Sequence, residues 1–417
     1  MPGLKRRLYK NWVNLCQGIK EKMKMYDFDK VIDRRNTNSF KWDILSKEGK
    51  DSEGIIPMWV ADMDFCVALA ITEEMQKVVD RQIYGYQFND DEYAETIVSW
   101  MHKRHHYDIE KDWICHTPNV VSGLCAAIKA VSEPGDEIII QTPVYGPFYS
   151  SIKDNDRVIV ESQMKEDNGY YTMDLEDFEQ KITPKTKAVI LCNPHNPCGR
   201  VWTKEELQAL ADVCMKHNLY IISDDIHGDL VYKGHPHTVI ASLSEEIADR
   251  CIVCTAPSKT FNLAGMQIAH CIVKNKELRE KFMQTFKKLH ADGGNSFEEA
   301  MVIGAYGKSE QWVDELLEYL EGNVDLFVEY IHENIPKLKV YKPEGTYLVW
   351  VDCRALGLAQ EELKNFFMEK CKLHVHDGLF FGKEGEGYVR FNLACPRSLV
   401  QEALARMKKA IGEYVAS

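Results

Sequence analysis

The chain lacks any stretch near the ~20 consecutive apolar residues of a membrane span, so no membrane-spanning segment is expected. Positive charge is also short: 51 Lys and Arg face 64 Asp and Glu, for a net charge of −13. A nucleic-acid backbone requires a cationic face, so nucleic acid is not an expected partner. Internal repeats, low-complexity tracts and long flexible linkers are absent. The 13 cysteines form an odd set scattered through apolar runs, which suits free thiols in a reducing compartment and weighs against a disulfide framework. Residues 1–24 are basic, with seven Lys and Arg against the single acid Glu21, and lack the apolar core of a secretory signal. A cytoplasmic protein is expected, with residues 1–24 as a basic N-terminal extension and a fresh start at "MYDFDKVIDRR" from Met25.

What is present is enough material for two domains, because single hydrophobic cores stop growing near ~250–300 residues and this chain has 417. Apolar strands alternate with amphipathic helices from about residue 117 to 273. "EIIIQTP" and "KAVILCNP" are runs stopped by proline, "LYIISDD" ends in acids, and "TKEELQALADVCMKHN" opens with a Thr203 cap and an acidic first turn. That pattern predicts an α/β fold, a large domain over 61–299 with a mostly parallel sheet flanked by helices. The tail reads as strands "TYLVWVDCR" and "GYVRFNLA" with helices between and after them. It predicts a smaller α+β domain over 300–417, joined by residues 25–60.

Ligands of parallel sheets sit beyond the carboxyl ends of the strands. Asn193, Asp224 and Lys259 each follow an apolar strand and are therefore expected on one rim, with Asn196 in "NPHNPCG" and the helix start near "NVVSG". A helix N-terminus with free N–H groups suits a phosphate. A lysine, a carboxylate and a phosphate cradle are what a phosphorylated pyridine aldehyde requires: the amine forms a Schiff base and the carboxylate keeps the ring nitrogen protonated.

The stretches "SDDIHGDLVY", "NPHNPCGRVW", "SKTFNLAG", "PEGTYLVWVD" and "YVRFNLACPR" resemble the signatures of fold-type I pyridoxal-phosphate enzymes of the aminotransferase superfamily. With "PMWVADMDF" and "YGYQ" in front, the set is similar to the MalY/PatB group of cystathionine β-lyases, from about Met25 to the C-terminus. The resemblance implies pyridoxal 5'-phosphate held by Lys259, which also shuttles protons. Asp224 is implied to pair with the ring nitrogen, Asn196 with the ring hydroxyl, and Asn193 to buttress that loop and count with the cofactor residues. Tyr145 is implied to stack on the ring and to belong, with Lys259, to the catalytic set. Val120, Val121 and Ser258 are implied to hold the phosphate, helped by Tyr86 from a partner subunit of a homodimer. Arg390 is implied to clamp the α-carboxylate of an amino-acid substrate, a task suited to its planar fork. His227 stands where aminotransferases often carry tyrosine, Gln267 where many carry a phosphate-binding arginine, and Cys198 where "NPTG" has threonine. The first of these favours the lyase group.

The implied reaction is release of a thiol, pyruvate and ammonia from cystathionine or a related S-substituted cysteine. An aminotransferase, or a regulatory binding protein that keeps the fold, is the alternative. Three further motifs have bland readings, and no metal is expected. "CIVC" at Cys251 and Cys254 reads as core thiols, "HKRHH" at 102–106 as a solvated helix face, and "HVH" at 374–376 as a substrate-pocket or structural pair.

Overall fold

The computed structural model describes residues 26–87 and 91–416. The expectation for residues 1–24 lies outside the described residues. In chain order the strands are β1 (Ile56–Met58), β2 (Ile114–Thr117), β3 (Glu137–Thr142), β4 (Val158–Gln163), β5 (Lys165–Asp167), β6 (Tyr170–Thr172) and β7 (Thr186–Cys192). They continue as β8 (Tyr220–Asp224), β9 (Cys251–Thr255), β10 (Ala269–Ile272), β11 (Lys339–Val340), β12 (Leu348–Asp352), β13 (Leu373–Asp377) and β14 (Tyr388–Asn392).

A seven-stranded sheet in the order β2-β10-β9-β8-β7-β3-β4 forms the large core. Strands β9, β8, β7, β3 and β4 run parallel, and β10 is antiparallel to both its neighbours. Edge strand β4 is partly exposed, whereas the inner parallel strands β3, β7, β8 and β9 are largely apolar and buried because helices cover both of their faces. One of these, Val120–Val131, is started by the Asn119 side chain, which accepts from the Ser122 N–H. It lies so close to the sheet that a Cβ on Gly123 would sit 2.8 Å from the Cys271 sulfur. Only glycine fits there. Helix Lys204–Lys216 begins with the expected Thr203 cap, closed reciprocally by Glu206 into a capping box.

The second sheet has the order β1-β13-β14-β12-β11. Its central strand β14 is buried along its whole length and sets Arg390 across from both Trp350 and His376. Strand β1 pairs in parallel with β13, which ties the start of the chain to its end. We propose on this pairing the two-unit division drawn from the sequence, 25–60 with 300–417 and 61–299 alone. Residues 303–307 pack closely on helix Leu69–Arg81, where a Cβ on Gly304 would meet the Ile71 Cα at 2.7 Å. Among the described residues no helix is long and apolar enough to cross a membrane.

Candidate active site

The carboxyl ends of β7, β8 and β9 and the start of helix Val120–Val131 open onto one cavity of about 650 Å³. Asn196, Asp224, Ser258, Lys259, Val120 and Val121 line it from the side of the seven-stranded sheet. Arg390 from β14 and His376 from β13 line it from the side of the five-stranded sheet, and Trp59, Val60 and Ala61, just after β1, pass along its wall. That passing segment is held firmly. Asp64 accepts from buried Lys41 at 2.8 Å, from Arg34 at 2.7 Å and from the Trp42 indole at 2.8 Å.

Lys259 Nζ donates to the Ala61 carbonyl at 2.7 Å. Burial, and then the charge of Arg390, push its pKa down to about 8, against the opposite pull of Asp62 and Asp224. The amine is thus partly neutral near physiological pH. Asp224 is pushed the other way, up to about 7, by burial first and by Asp225, while the Ile226 N–H and Lys259 oppose the rise. A carboxylate so placed gains most from a cationic N–H set against it.

Arg390 donates to Asn196 Oδ1 at 2.9 Å and to the Trp59 carbonyl at 2.8 Å. Its buried Nε has no hydrogen-bond partner among the described residues, where no carboxylate pairs with it either. Burial lowers even this guanidinium to about 10. A buried cation with an open donor and no counter-ion is a site for an anion.

The remaining expected residues fall into two groups. Tyr145 and His227 line the cavity. Burial, followed by the Asp224 charge, raises the Tyr145 phenol, and its ring meets Phe380 edge-on at 6.2 Å. His227 is held well below its ordinary pKa by burial and then by Lys259 and Arg390, so its ring is neutral. The other group is outside the cavity. Asn193 is fully buried beneath it: its amide nitrogen donates to the Thr238 carbonyl at 3.0 Å and its oxygen accepts from the Trp202 N–H at 3.3 Å. It therefore secures the loop that presents Asn196. Tyr86 is completely exposed and contributes nothing to the cavity of its own chain.

Sequence reasoning missed the aromatic mouth formed by Phe40, Trp59 and Phe380, because three distant segments build it and none carries a local signal. It also missed Asn119, whose amide donates to Gln267 Oε1 at 2.9 Å and so latches the helix start to the loop after Lys259. The "HVH" strand gives one cavity residue, His376, and one structural ring, His374, stacked on Trp59 at 4.6 Å. In "CIVC" both thiols are buried, and Cys254 contacts Cys271, not Cys251, at 3.3 Å. The "HKRHH" expectation needs correction at His105. Its ring is buried and bonds Asp229 at 2.9 Å, whereas His102 and Lys103 are solvated as expected.

Residues 61–407 match the family model described as aminotransferase class I and II. The chain belongs to that family. Among curated relatives, cystathionine β-lyase PatB of Bacillus subtilis (strain 168) is 39% identical over 92% of this chain and 100% of its own length. Two solved structures are also similar. Cystalysin of Treponema denticola, which contains a pyridoxal 5'-phosphate cofactor, superposes with a TM-score of 0.89 at 37% identity, covering 94% of this chain and 100% of its own. The pyridoxal-phosphate-bound C–S lyase of Staphylococcus hominis gives 0.86 at 30% identity, covering 93% and 98%. Within the class I and II family, Asp224, Lys259 and Arg390 thus occupy a fold whose solved members include cofactor-bound C–S lyases.

Proposed function

We propose that this protein is a pyridoxal-phosphate-dependent carbon–sulfur β-lyase that converts cystathionine or a related S-substituted cysteine, with water, to a thiol, pyruvate and ammonia. One observation carries the cofactor and substrate class. In a single buried cavity, an amine kept partly neutral, a carboxylate whose pKa is raised by burial and a guanidinium whose Nε has no partner among the described residues stand together. The residues fit the cofactor: Asp224 suits the ring N–H, the Asn196 amide suits the ring hydroxyl, and the first turn at Val120 and Val121 with Ser258 suits the phosphate. When bound, pyridoxal phosphate supplies a sink for the electron pair left when a substrate Cα–H bond breaks. The preference for β-elimination rests on the relatives and on His227.

Each side chain then has a task. Arg390 offers its open Nε edge to the α-carboxylate while Asn196 and the Trp59 carbonyl fix its plane. That contact would fix the substrate's α-carboxylate within the cavity that Lys259 also lines. Lys259 Nζ would anchor the cofactor and, as a free amine, would take the Cα proton, a role suited to a side chain whose pKa is pushed down to about 8. Tyr145 covers the ring face, and the aromatic mouth limits water. Incubation with L-cystathionine or an S-alkyl-cysteine should release thiol and pyruvate in equal amounts without a keto-acid acceptor. A strict requirement for a 2-oxo acid, with no pyruvate formed, would identify an aminotransferase instead.

The homodimer belongs to the same proposal. Ile83 and Tyr86 project into solvent on either side of Tyr84, whose ring stacks on Phe297, as a segment does that reaches a second subunit. Lys259→Ala chains mixed with Tyr86→Ala chains are expected to regain activity above either parent, because one hybrid site receives both native residues. No gain after verified subunit exchange would remove Tyr86 from the neighbouring site. The free thiols at all 12 described cysteines support a cytoplasmic location.

A further inference from the structure

Behind the cavity lies a second cluster of buried titratable groups that the mechanism above does not use. His105 Nε2 contacts Asp229 Oδ1 at 2.9 Å, His105 Nδ1 contacts His237 Nδ1 at 3.2 Å, and His237 Nε2 contacts the Asn193 carbonyl at 3.2 Å and Asp225 Oδ2 at 3.2 Å. Asp229 also accepts from the Trp100 indole at 3.0 Å and from the Thr260 hydroxyl at 2.7 Å. The chain of contacts therefore links Thr260, next to Lys259, with Asp225, next to Asp224.

A count of donors fixes the protons. Asp229 accepts from three groups, so the ring nitrogen of His105 that faces it must carry hydrogen. His237 Nε2 faces only a carbonyl and a carboxylate, so it too must be protonated. The two Nδ1 atoms face each other, and one proton must lie between them. Two neutral imidazoles hold two N–H protons; this pair needs three. We propose that His105 and His237 share one excess proton and that this buried charge compensates Asp225 and Asp229, thereby keeping Asp224 ionised.

Among the described residues the positive charge for that task falls to the pair, beside the neutral Ser223 hydroxyl, which donates to Asp225 Oδ1. Arg104 also faces Asp229, but it is bonded to Asp314 at 2.7 Å at the surface. His270 and Tyr306 near Asp229, and Tyr107 and Cys251 near Asp225, are all held neutral by burial. The charge of Asp225 acts to protonate Asp224. A cation 3.2 Å from Asp225 weakens that effect. His105 and His237 are accordingly positioning residues: they touch neither substrate nor cofactor and act through Asp224, so the inference rests on the role proposed for Asp224.

The test begins with the full chain carrying ¹⁵N-histidine, with and without cofactor, and reads the protonation of each ring nitrogen by NMR at neutral pH. Three N–H protons on the two rings are expected; one per ring overturns the proposal. This count needs no turnover, so it stands apart from any failure of the lyase reading. A His237→Asn variant keeps a donor toward Asn193 but cannot be charged. Its kcat should fall about tenfold at neutral pH with KM nearly unchanged, and the acid limb of its pH profile should move to higher pH, because an uncompensated Asp225 makes Asp224 easier to protonate. Thr260→Val loosens the same network without removing charge and should leave that limb in place. An unmoved limb in His237→Asn, or an equal shift in Thr260→Val, would overturn the link to Asp224.

Discussion

Replacing Lys259 with alanine is expected to reduce thiol and pyruvate release by about 10⁴-fold or more, since it removes both the covalent anchor and the base for the Cα proton. The same change should abolish incorporation of the cofactor by borohydride, while some non-covalent binding persists through Asp224, Tyr145 and the phosphate cradle. The fold should survive, and its pH dependence reveals why. In the cofactor-free protein Lys259 titrates near 8 instead of its ordinary 10.5. The unfolded chain therefore binds more protons between those values, and stability rises with pH across that window. Below it the buried ammonium costs roughly 3 kcal/mol. Lys259→Ala should unfold at higher denaturant concentration than the cofactor-free parent at pH 7, and the advantage should vanish above pH 10.5. Denaturant titrations at the two pH values, beside the pyruvate assay, check both halves.

Much of this site was legible because its key residues follow apolar strands directly. "LYIISDD" and "CIVC" announce where β8 and β9 end, so Asp224 and Lys259 had to share a rim. The parallel sheet was legible for the same reason, but β10 was not. Its connection to β9 contains only the short turns around Lys259, with no crossover helix, and such a link returns the chain antiparallel. Asn193 and Asn196 are chemically identical and three positions apart; only the folded loop decides that one faces the cavity and the other lies beneath it. His105 had a readable signal that composition obscured. Among its charged neighbours it looks solvated, yet Ile97, Met101 and His105 recur every four residues on the buried face of helix Asp91–His105.

Arg390→Leu should lower kcat/KM by about 10²- to 10³-fold, the loss of two charge-assisted hydrogen bonds to a carboxylate. Most of the loss should appear in KM, with cofactor absorbance largely intact, because the guanidinium holds only the Asn196 oxygen and the Trp59 carbonyl, leaving the Asn196 amide nitrogen for the ring hydroxyl and touching neither Lys259, Asp224 nor the phosphate cradle. Arg390→Lys should recover little. An ammonium is a point charge on a flexible stem, and it cannot hold Asn196, the Trp59 carbonyl and a carboxylate in one plane. Stability should change little in the Leu variant, since a buried cation without a counter-ion is costly in the free protein and its removal offsets the two lost hydrogen bonds. The decisive comparison uses an S-substituted cysteamine, which lacks the α-carboxylate. The native protein should process it poorly, and Arg390→Leu should be no worse. If the variant is as impaired on the cysteamine as on the cysteine, Arg390 acts on the shape of the cavity and not on the substrate's charge.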